Sequence, residues 1–205
     1  MKKKLLIVGA GGHAKVLADI AFLMGKWEQI VFADDRLSGK QLGFQVIART
    51  DELDDYVNEY DMVVGIGDNY LRESIQMRLA QVGATIPVLI HPKAILGSEI
   101  SIGEGSVIMA GAIINCSTKI GKGSIINTSS TIDHDCIVGD FGHLSPGVHL
   151  AGTVQIGRRT WLGIGSLVNN GVSISENCVI GAGAVVIRVL TEPGTYVGIP
   201  ARRVK

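Results

Sequence analysis

The sequence predicts a chain in two parts, an α/β half domain followed by a three-sided parallel β-helix of hexapeptide repeats. Three observations carry that reading. Aliphatic residues recur every six positions without a gap, from Ile90, Leu96, Ile102, Ile108 and Ile114 to Ile174, Ile180 and Val186. A small or β-branched residue stands four places after most of them, as at Ser106, Ala112, Thr118, Ser130, Cys136, Val148, Thr160 and Ala184. A glycine follows Ile102, Ile120, Val138 and Ile156, once in every third repeat.

Two inward positions in every six match neither a helix of ~3.6-residue period nor plain alternation. They match a coil of three short strands whose stacked copies bury a continuous core. The recurring glycine marks one corner that needs a small residue, and about five coils stacked at ~4.8 Å would make a prism ~25 Å tall. A β-sandwich would vary its loop lengths, whereas this register never slips. Since no insertion breaks the repeat, no long loop projects from the prism. An active site there has to be completed by another surface, most simply a second copy of the prism.

Composition narrows the classes. The 205 residues allow one or two domains. The formal net charge of +0 gives no argument for nucleic acid. Mean hydropathy is +0.33, yet no apolar run approaches the ~18 residues of a membrane span. Lys2, Lys3 and Lys4 before Leu5-Leu6-Ile7-Val8 imitate a signal peptide, but the apolar run is short and is soon interrupted by His13, Lys15 and Asp19. Three cysteines without a CxxC pair fit a reducing compartment, and a cytoplasmic protein is expected. Cys136 and Cys178 fall in the small inward slot and are expected to be packing residues.

The first domain is expected over residues 1–88 and the second over 89–205. In the first, Lys4-Leu5-Leu6-Ile7-Val8 reads as a buried strand, Gly9-Ala10-Gly11-Gly12-His13-Ala14 as a turn opening a helix, and Ile30-Val31-Phe32-Ala33 as a second strand ending at Asp34-Asp35. This is a Rossmann-like βαβ start with a dinucleotide-type fingerprint. The segment is half the size of a full two-lobed dinucleotide fold, which argues against NAD. A glycine-rich turn at a helix N-terminus favours an anion such as a diphosphate, and the acids after the second strand are candidates for a ribose or base. A third strand over Asp61–Val64 ends in Gly65-Ile66-Gly67, and Asn69 and Arg72 on the next helix either pair locally or face the same ligand. The chain enters the repeat through Pro87 and His91-Pro92 without a flexible linker, so a rigid junction is expected.

One coil departs from plain filler: Asn127-Thr128-Ser129-Ser130-Thr131-Ile132-Asp133-His134-Asp135-Cys136, then Gly139-Asp140-Phe141-Gly142-His143-Leu144-Ser145-Pro146. His134 lies two residues past an inward aliphatic, so it points out of the prism between two carboxylates. An imidazole beside a carboxylate is held in one tautomer and made more basic, as general-base chemistry near neutral pH requires. An exposed corner histidine in an ion pair is the plainer alternative.

These motifs, in order, resemble a known family. The N-terminal Gly-x-Gly-Gly-His-Ala, the Asp-Asp after the second strand, the His134-Asp135-Cys136 coil, Gly-Asp-x-x-His-Leu-Ser-Pro and the Gly198-Ile199-Pro200-Ala201-Arg202 tail are together similar to the sugar acetyltransferases of bacterial surface glycan and protein glycosylation. That family includes bacillosamine-type N-acetyltransferases and relatives that O-acetylate sialic acid. The resemblance covers nearly the whole chain and implies a left-handed helix, although physics alone favours right-handed crossovers. It implies acetyl-CoA as co-substrate, no metal, and transfer to the 4-amino group of a nucleotide-linked amino-dideoxy sugar, with UDP the expected nucleotide. It implies His134 as general base and Asp135 as its orienting acid. By the same resemblance His143 contacts acetyl-CoA near the thioester, Gly152 offers its N–H to the thioester oxygen, and Ile164, Gly165, Ser173 and Ala182 line the rest of the cofactor track. Gly11, Gly12, His13, Asp34, Asp35 and Gly67 would hold the sugar nucleotide. Asp135 is shorter than the Glu of some relatives, which implies a looser contact with His134.

A homotrimer with active sites between subunits is expected from a flat prism that carries His134 outward under no covering loop. Three other readings stand beside this one: O-acetylation of a sugar or of serine, a zinc site of carbonic-anhydrase type built from His134, His143 and His149, and a prism that is only a scaffold.

Overall fold

The structure is a computed structural model that describes residues 3–205, so Lys2 of the basic start lies outside it. The chain divides into two compact units, with the boundary between Pro92 and Lys93. No helix among the described residues is long and apolar enough to cross a membrane.

The first unit is a five-stranded sheet flanked by helices. Strands β1 (Lys4–Val8), β2 (Gln29–Ala33), β3 (Lys40–Gln41), β4 (Phe44–Ala48) and β5 (Asp61–Val64) lie in the order β3-β4-β2-β1-β5. All neighbours are parallel except the β3–β4 pair. The central strands are buried on both faces, and Leu6, Val8, Val31, Met62 and Val64 share a core with Leu79, which is why they read as continuous apolar runs. Helix α1 (Gly12–Met24) follows β1, and helix α2 (Asn69–Gln81) follows β5. A Cβ on Gly65 would lie 2.7 Å from that of Ala14, so the small residues at the end of β5 and the start of α1 let helix and strand approach closely. The β3–β4 hairpin has no counterpart in the sequence reading. Its tight turn places Leu42 at φ 50° and Gly43 at φ 83°, the left-handed pair such hairpins need, and a leucine in the first position conceals the usual signal.

The second unit is the left-handed parallel β-helix. One face stacks Ile95–Leu96, Ile113–Ile114, Thr131–Ile132, His149–Leu150, Leu167–Val168 and Val185–Val186. A second stacks Ser101–Ile102, Lys119–Ile120, Ile137–Val138, Gln155–Ile156 and Ser173–Ile174. The third carries Val107–Ile108, Ile125–Ile126, His143–Leu144, Trp161–Leu162 and Cys178–Ile180, then Gly194–Val197 and Arg202–Arg203 of the tail. Partner residues are separated by 18 positions, as in Ile113↔Thr131 and His149↔Leu167.

Both inward series are buried as the repeat predicts, from Ile108 to Val186 and from Ser106 to Ala184. The start of the repeat departs from this, with Leu96 38% exposed and Ile90 and Ile102 half-buried. Buried hydroxyls are satisfied within the stack at three of these positions, where Ser106, Ser130 and Thr160 each donate to the carbonyl 15 residues on, at 2.7, 3.0 and 2.7 Å, whereas the buried Ser166 Oγ makes no hydrogen bond among the described residues. Cys136 Sγ lies 3.2 Å from the Ala151 carbonyl in the same pattern, so it packs as a small polar residue, with its thiol pKa pushed up by burial.

The corners explain the glycines. A Cβ on Gly139 would lie 2.8 Å from the backbone nitrogen of Arg158 in the next coil, so this recurring glycine is required by coil-on-coil contact. A separate position has positive φ at every sixth residue from Glu99 to Gly183, including Asp135 at 57°, Phe141 at 57° and Thr153 at 60°. Glycine marks about half of that second series, whereas at Phe141, Thr153 and Arg159 the stacked coils impose left-handed geometry on residues that seldom choose it alone.

Candidate functional site

The corner that leaves the first prism face bears Asp133, His134 and Asp135. His134 stands outside the core with its side chain 52% exposed. The left-handed φ of Asp135 turns its carboxylate back, so that Oδ2 lies 2.8 Å from His134 Nδ1. A carboxylate only accepts, so Nδ1 carries the proton and Nε2 presents its lone pair outward. Asp133 has a different part: its Oδ1 accepts from the His134 backbone N–H at 3.0 Å and from Asn115 Nδ2 at 3.0 Å. The pairing is therefore with Asp135, and Asp133 fixes the backbone beneath the ring. The hydrogen bond to Asp135 raises the imidazole pKa; desolvation opposes it, and the charges of Asp133 and Asp135 add to the rise.

The corner between the third and first faces is apolar. Trp161, Pro146, Ile164, Val179, Gly181 and Ala182 are among the residues lining a groove of about 330 Å³. Ile164 is 59% exposed. His143 stacks on Trp161 with ring centroids 5.9 Å apart and planes at 18°, and Trp161 Nε1 donates to Ser145 Oγ at 2.8 Å. Sequence reasoning missed Trp161, Pro146 and Val179. Trp161 was findable as the aromatic one coil beyond His143, at an outward position.

The predicted cofactor residues are thus distributed. Ile164 and Ala182 share the groove, Gly165 lies in the same turn, and His143 adjoins it through Trp161. Gly152 lies elsewhere, against the His134 ring. Ser173 belongs to the second face, which does not line the groove. His149 is on the first face, bonded through Nδ1 to Thr131 Oγ1 at 2.8 Å, while His143 is on the third. Among the described residues no group of three or more His, Cys, Asp or Glu is placed to hold a metal ion.

In the first unit, Gly11 is the N-cap of α1 and makes no side-chain cap, so the first-turn N–H groups of Gly12, His13 and Ala14 lack the usual side-chain acceptor. His13 Nε2 is buried without a hydrogen-bond partner. Burial first and then the Arg72 charge lower the His13 pKa to about 4, so the ring is neutral at physiological pH. Arg72 is 1% exposed and donates to the carbonyls of Ile66 and Gly67 at 3.1 and 2.9 Å and to Asn69 Oδ1 at 2.8 Å. Of the two alternatives read from the sequence, local pairing is the one observed, and it fixes the loop bearing Gly67. Asp34 is engaged by the chain itself: Oδ2 accepts from Ala10 N–H, and Oδ1 from the N–H groups of Arg36 and Leu37, all at 2.8 Å. Asp35 accepts from the Thr50 N–H and hydroxyl. Both carboxylates hold loops around a cleft of about 280 Å³ that Arg36, Leu37, Ala48 and Arg49 also line.

Both units match known families. The profile of the PglD N-terminal domain matches residues 4–79, and that of the bacterial transferase hexapeptide (six repeats) matches residues 153–188. The chain is 30% identical over 157 residues to GDP-perosamine N-acetyltransferase of Escherichia coli O157:H7, covering 73% of this chain and 71% of the relative. It is 34% identical over 112 residues to UDP-N-acetylbacillosamine N-acetyltransferase of Bacillus subtilis, covering 53% and 52%. The acetyltransferase domain of PglB from Neisseria gonorrhoeae, solved in complex with acetyl coenzyme A, superposes with a TM-score of 0.97 at 38% identity over 100% of both chains.

Proposed function

Because the chain belongs to the acetyl-CoA-dependent N-acetyltransferases that act on nucleotide-linked amino sugars, we propose that it acetylates the 4-amino group of a UDP-linked amino-dideoxy sugar, with His134 as general base, for bacterial surface glycan or glycoprotein synthesis. The observation that carries the reading is the His134–Asp135 pair, with Nδ1 engaged and Nε2 free to accept a proton. Nε2 removes a proton from the sugar amine as the nitrogen attacks the thioester carbonyl. The resulting oxyanion is met by the Gly152 N–H, and its collapse breaks the C–S bond and expels the CoA thiolate, which takes the proton back from His134. No covalent enzyme intermediate is needed, in keeping with the buried Cys136.

The apolar corner, with Ile164, Gly165 and Ala182, would take the pantetheine arm, with His143 near the thioester. Ser173 would meet the arm only from a second copy. Gly11, Gly12 and His13 would receive the diphosphate at the α1 N-terminus, and Asp34, Asp35 and Gly67 would shape the nucleotide cleft. His134 and the apolar groove lie on different corners of one prism, a full face apart, whereas a base must reach the reacting atom within about 3 Å. A homotrimer joins the base of one subunit to the groove of its neighbour, with an expected mass of three times 21.7 kDa.

The test is free-thiol release from acetyl-CoA with UDP- and GDP-linked 4-amino sugars in parallel. Turnover with the UDP sugar is expected to exceed that with the GDP sugar at equal concentration. The reverse order would reassign the nucleotide, and turnover with neither would remove the acceptor class.

A further inference from the structure

We infer that Gly152 is a positioning residue whose missing side chain forms the seat of the His134 imidazole. The inference rests on the reading of His134 as the base. Gly152 occupies, one coil further on, the same corner position as His134, since Thr131↔His149 and Ile132↔Leu150 are partners. A Cβ built on it would lie 2.7 Å from both Cε1 and Nε2 of the ring and 3.4 Å from Cδ2. That is far inside van der Waals contact, and it falls on the one nitrogen left free by Asp135.

Backbone geometry does not demand a glycine here, for the φ of Gly152 lies outside the left-handed region. Coil stacking does not demand one either. The Cβ of Gly139 would strike the backbone of the next coil, whereas the three nearest neighbours of a Cβ on Gly152 all belong to the His134 side chain. The repeat supplies its own control. The same corner position in the other coils holds Ser98, Cys116, His134, Asn170 and Arg188, all with side chains. Only the coil lying against the His134 ring lacks one. The imidazole is therefore held by Asp135 at Nδ1 and by the bare Cα of Gly152 beneath Nε2 and Cε1, while Asp133 fixes the backbone N–H of the same residue. An alanine keeps the Gly152 N–H and hence any contact it makes with the thioester oxygen, but pushes the ring off its seat.

The experiment compares Gly152→Ala in the native and His134→Ala backgrounds, reading kcat, the melting temperature and the NMR titration of the His134 ring. In the native background kcat should fall about tenfold or more with KM for acetyl-CoA within about twofold. The His134 pKa should move down as the Asp135 contact loosens. With His134→Ala, the added alanine should change kcat by less than about twofold, and any melting-temperature loss it causes alone should disappear. Equal losses in both backgrounds would overturn the inference and assign Gly152 an independent role. An unaltered His134 titration in Gly152→Ala would also overturn it, whatever kcat does. If His134→Ala alone retained near-normal kcat, the base reading would fail, and the titration and melting data would still decide whether Gly152 seats the ring.

Discussion

The His134–Asp135 corner and its copies one coil away, Cys116–Ser117 and Gly152–Thr153, share a backbone and little else. The left-handed residue has φ 58° at Ser117, 57° at Asp135 and 60° at Thr153, and Asp135 N–H and Thr153 N–H make the same contact to the coil before, at 3.1 and 2.9 Å. The repeat thus supplies a rigid bracket at a fixed height, and two side chains on it supply the chemistry. Sites held by such scaffolding need no local strain of their own beyond what every coil already bears.

The largest effect should come from emptying the bracket. His134→Ala is expected to lower kcat by roughly 10²–10⁴-fold while acetyl-CoA still binds; steady-state kinetics with near-normal kcat would remove His134 from the mechanism. Moving the pair tests the height of the bracket as well as its contents. In that His134→Ala background, Cys116→His with Ser117→Asp rebuilds the imidazole and carboxylate one coil away, a displacement of ~4.8 Å. It should restore no activity, because a proton acceptor that far from the amine is out of reach. Recovery above a tenth of the native kcat would show that position along the prism matters little to the chemistry.

A smaller change is expected at the acid. Asp135→Asn should reduce kcat about tenfold and shift the acidic limb of kcat/KM to lower pH. The sign is set by the partner: the Asp135 hydrogen bond and charge raise the His134 pKa, the base works only when unprotonated, and removing the charge lets it deprotonate at lower pH. A pH–rate profile with an unmoved acidic limb would separate Asp135 from the base. Smallest of all, Ser117→Ala on the neighbouring copy should leave kcat within about twofold and stability within ~0.5 kcal/mol, measured by denaturant unfolding. A larger loss would mean that adjacent corners are energetically coupled and that the bracket is not independent of its copies.

The six-residue register and both inward series were legible because each inward slot admits only a narrow range of size and polarity. His134 was legible for the same reason, as a titratable pair in a run of aliphatic and small residues. What stayed hidden depends on contacts that no short motif announces. The left-handed Phe141 and Thr153 take their φ from stacking, and Leu42 leads a hairpin without the customary asparagine. Arg72 read as either a locally paired residue or a ligand contact, and it is buried with the Ile66 and Gly67 carbonyls accepting from its guanidinium. Asp34 and Asp35 read as ligand acids, yet they first bind the backbone N–H groups of Ala10, Arg36, Leu37 and Thr50. The groove at Trp161 and Val179 is invisible in one repeat, since it exists only where successive coils overlap.

The 18-residue pairing of His143, Trp161 and Val179 up the third face makes the prism a graduated scale. Any extended ligand lying along it meets side chains at fixed ~4.8 Å marks, and inserting or deleting one coil between two marks changes their separation by one whole step with every other contact unaltered. Reach along this enzyme is consequently counted in coils, and drift in sequence can alter it only by integers.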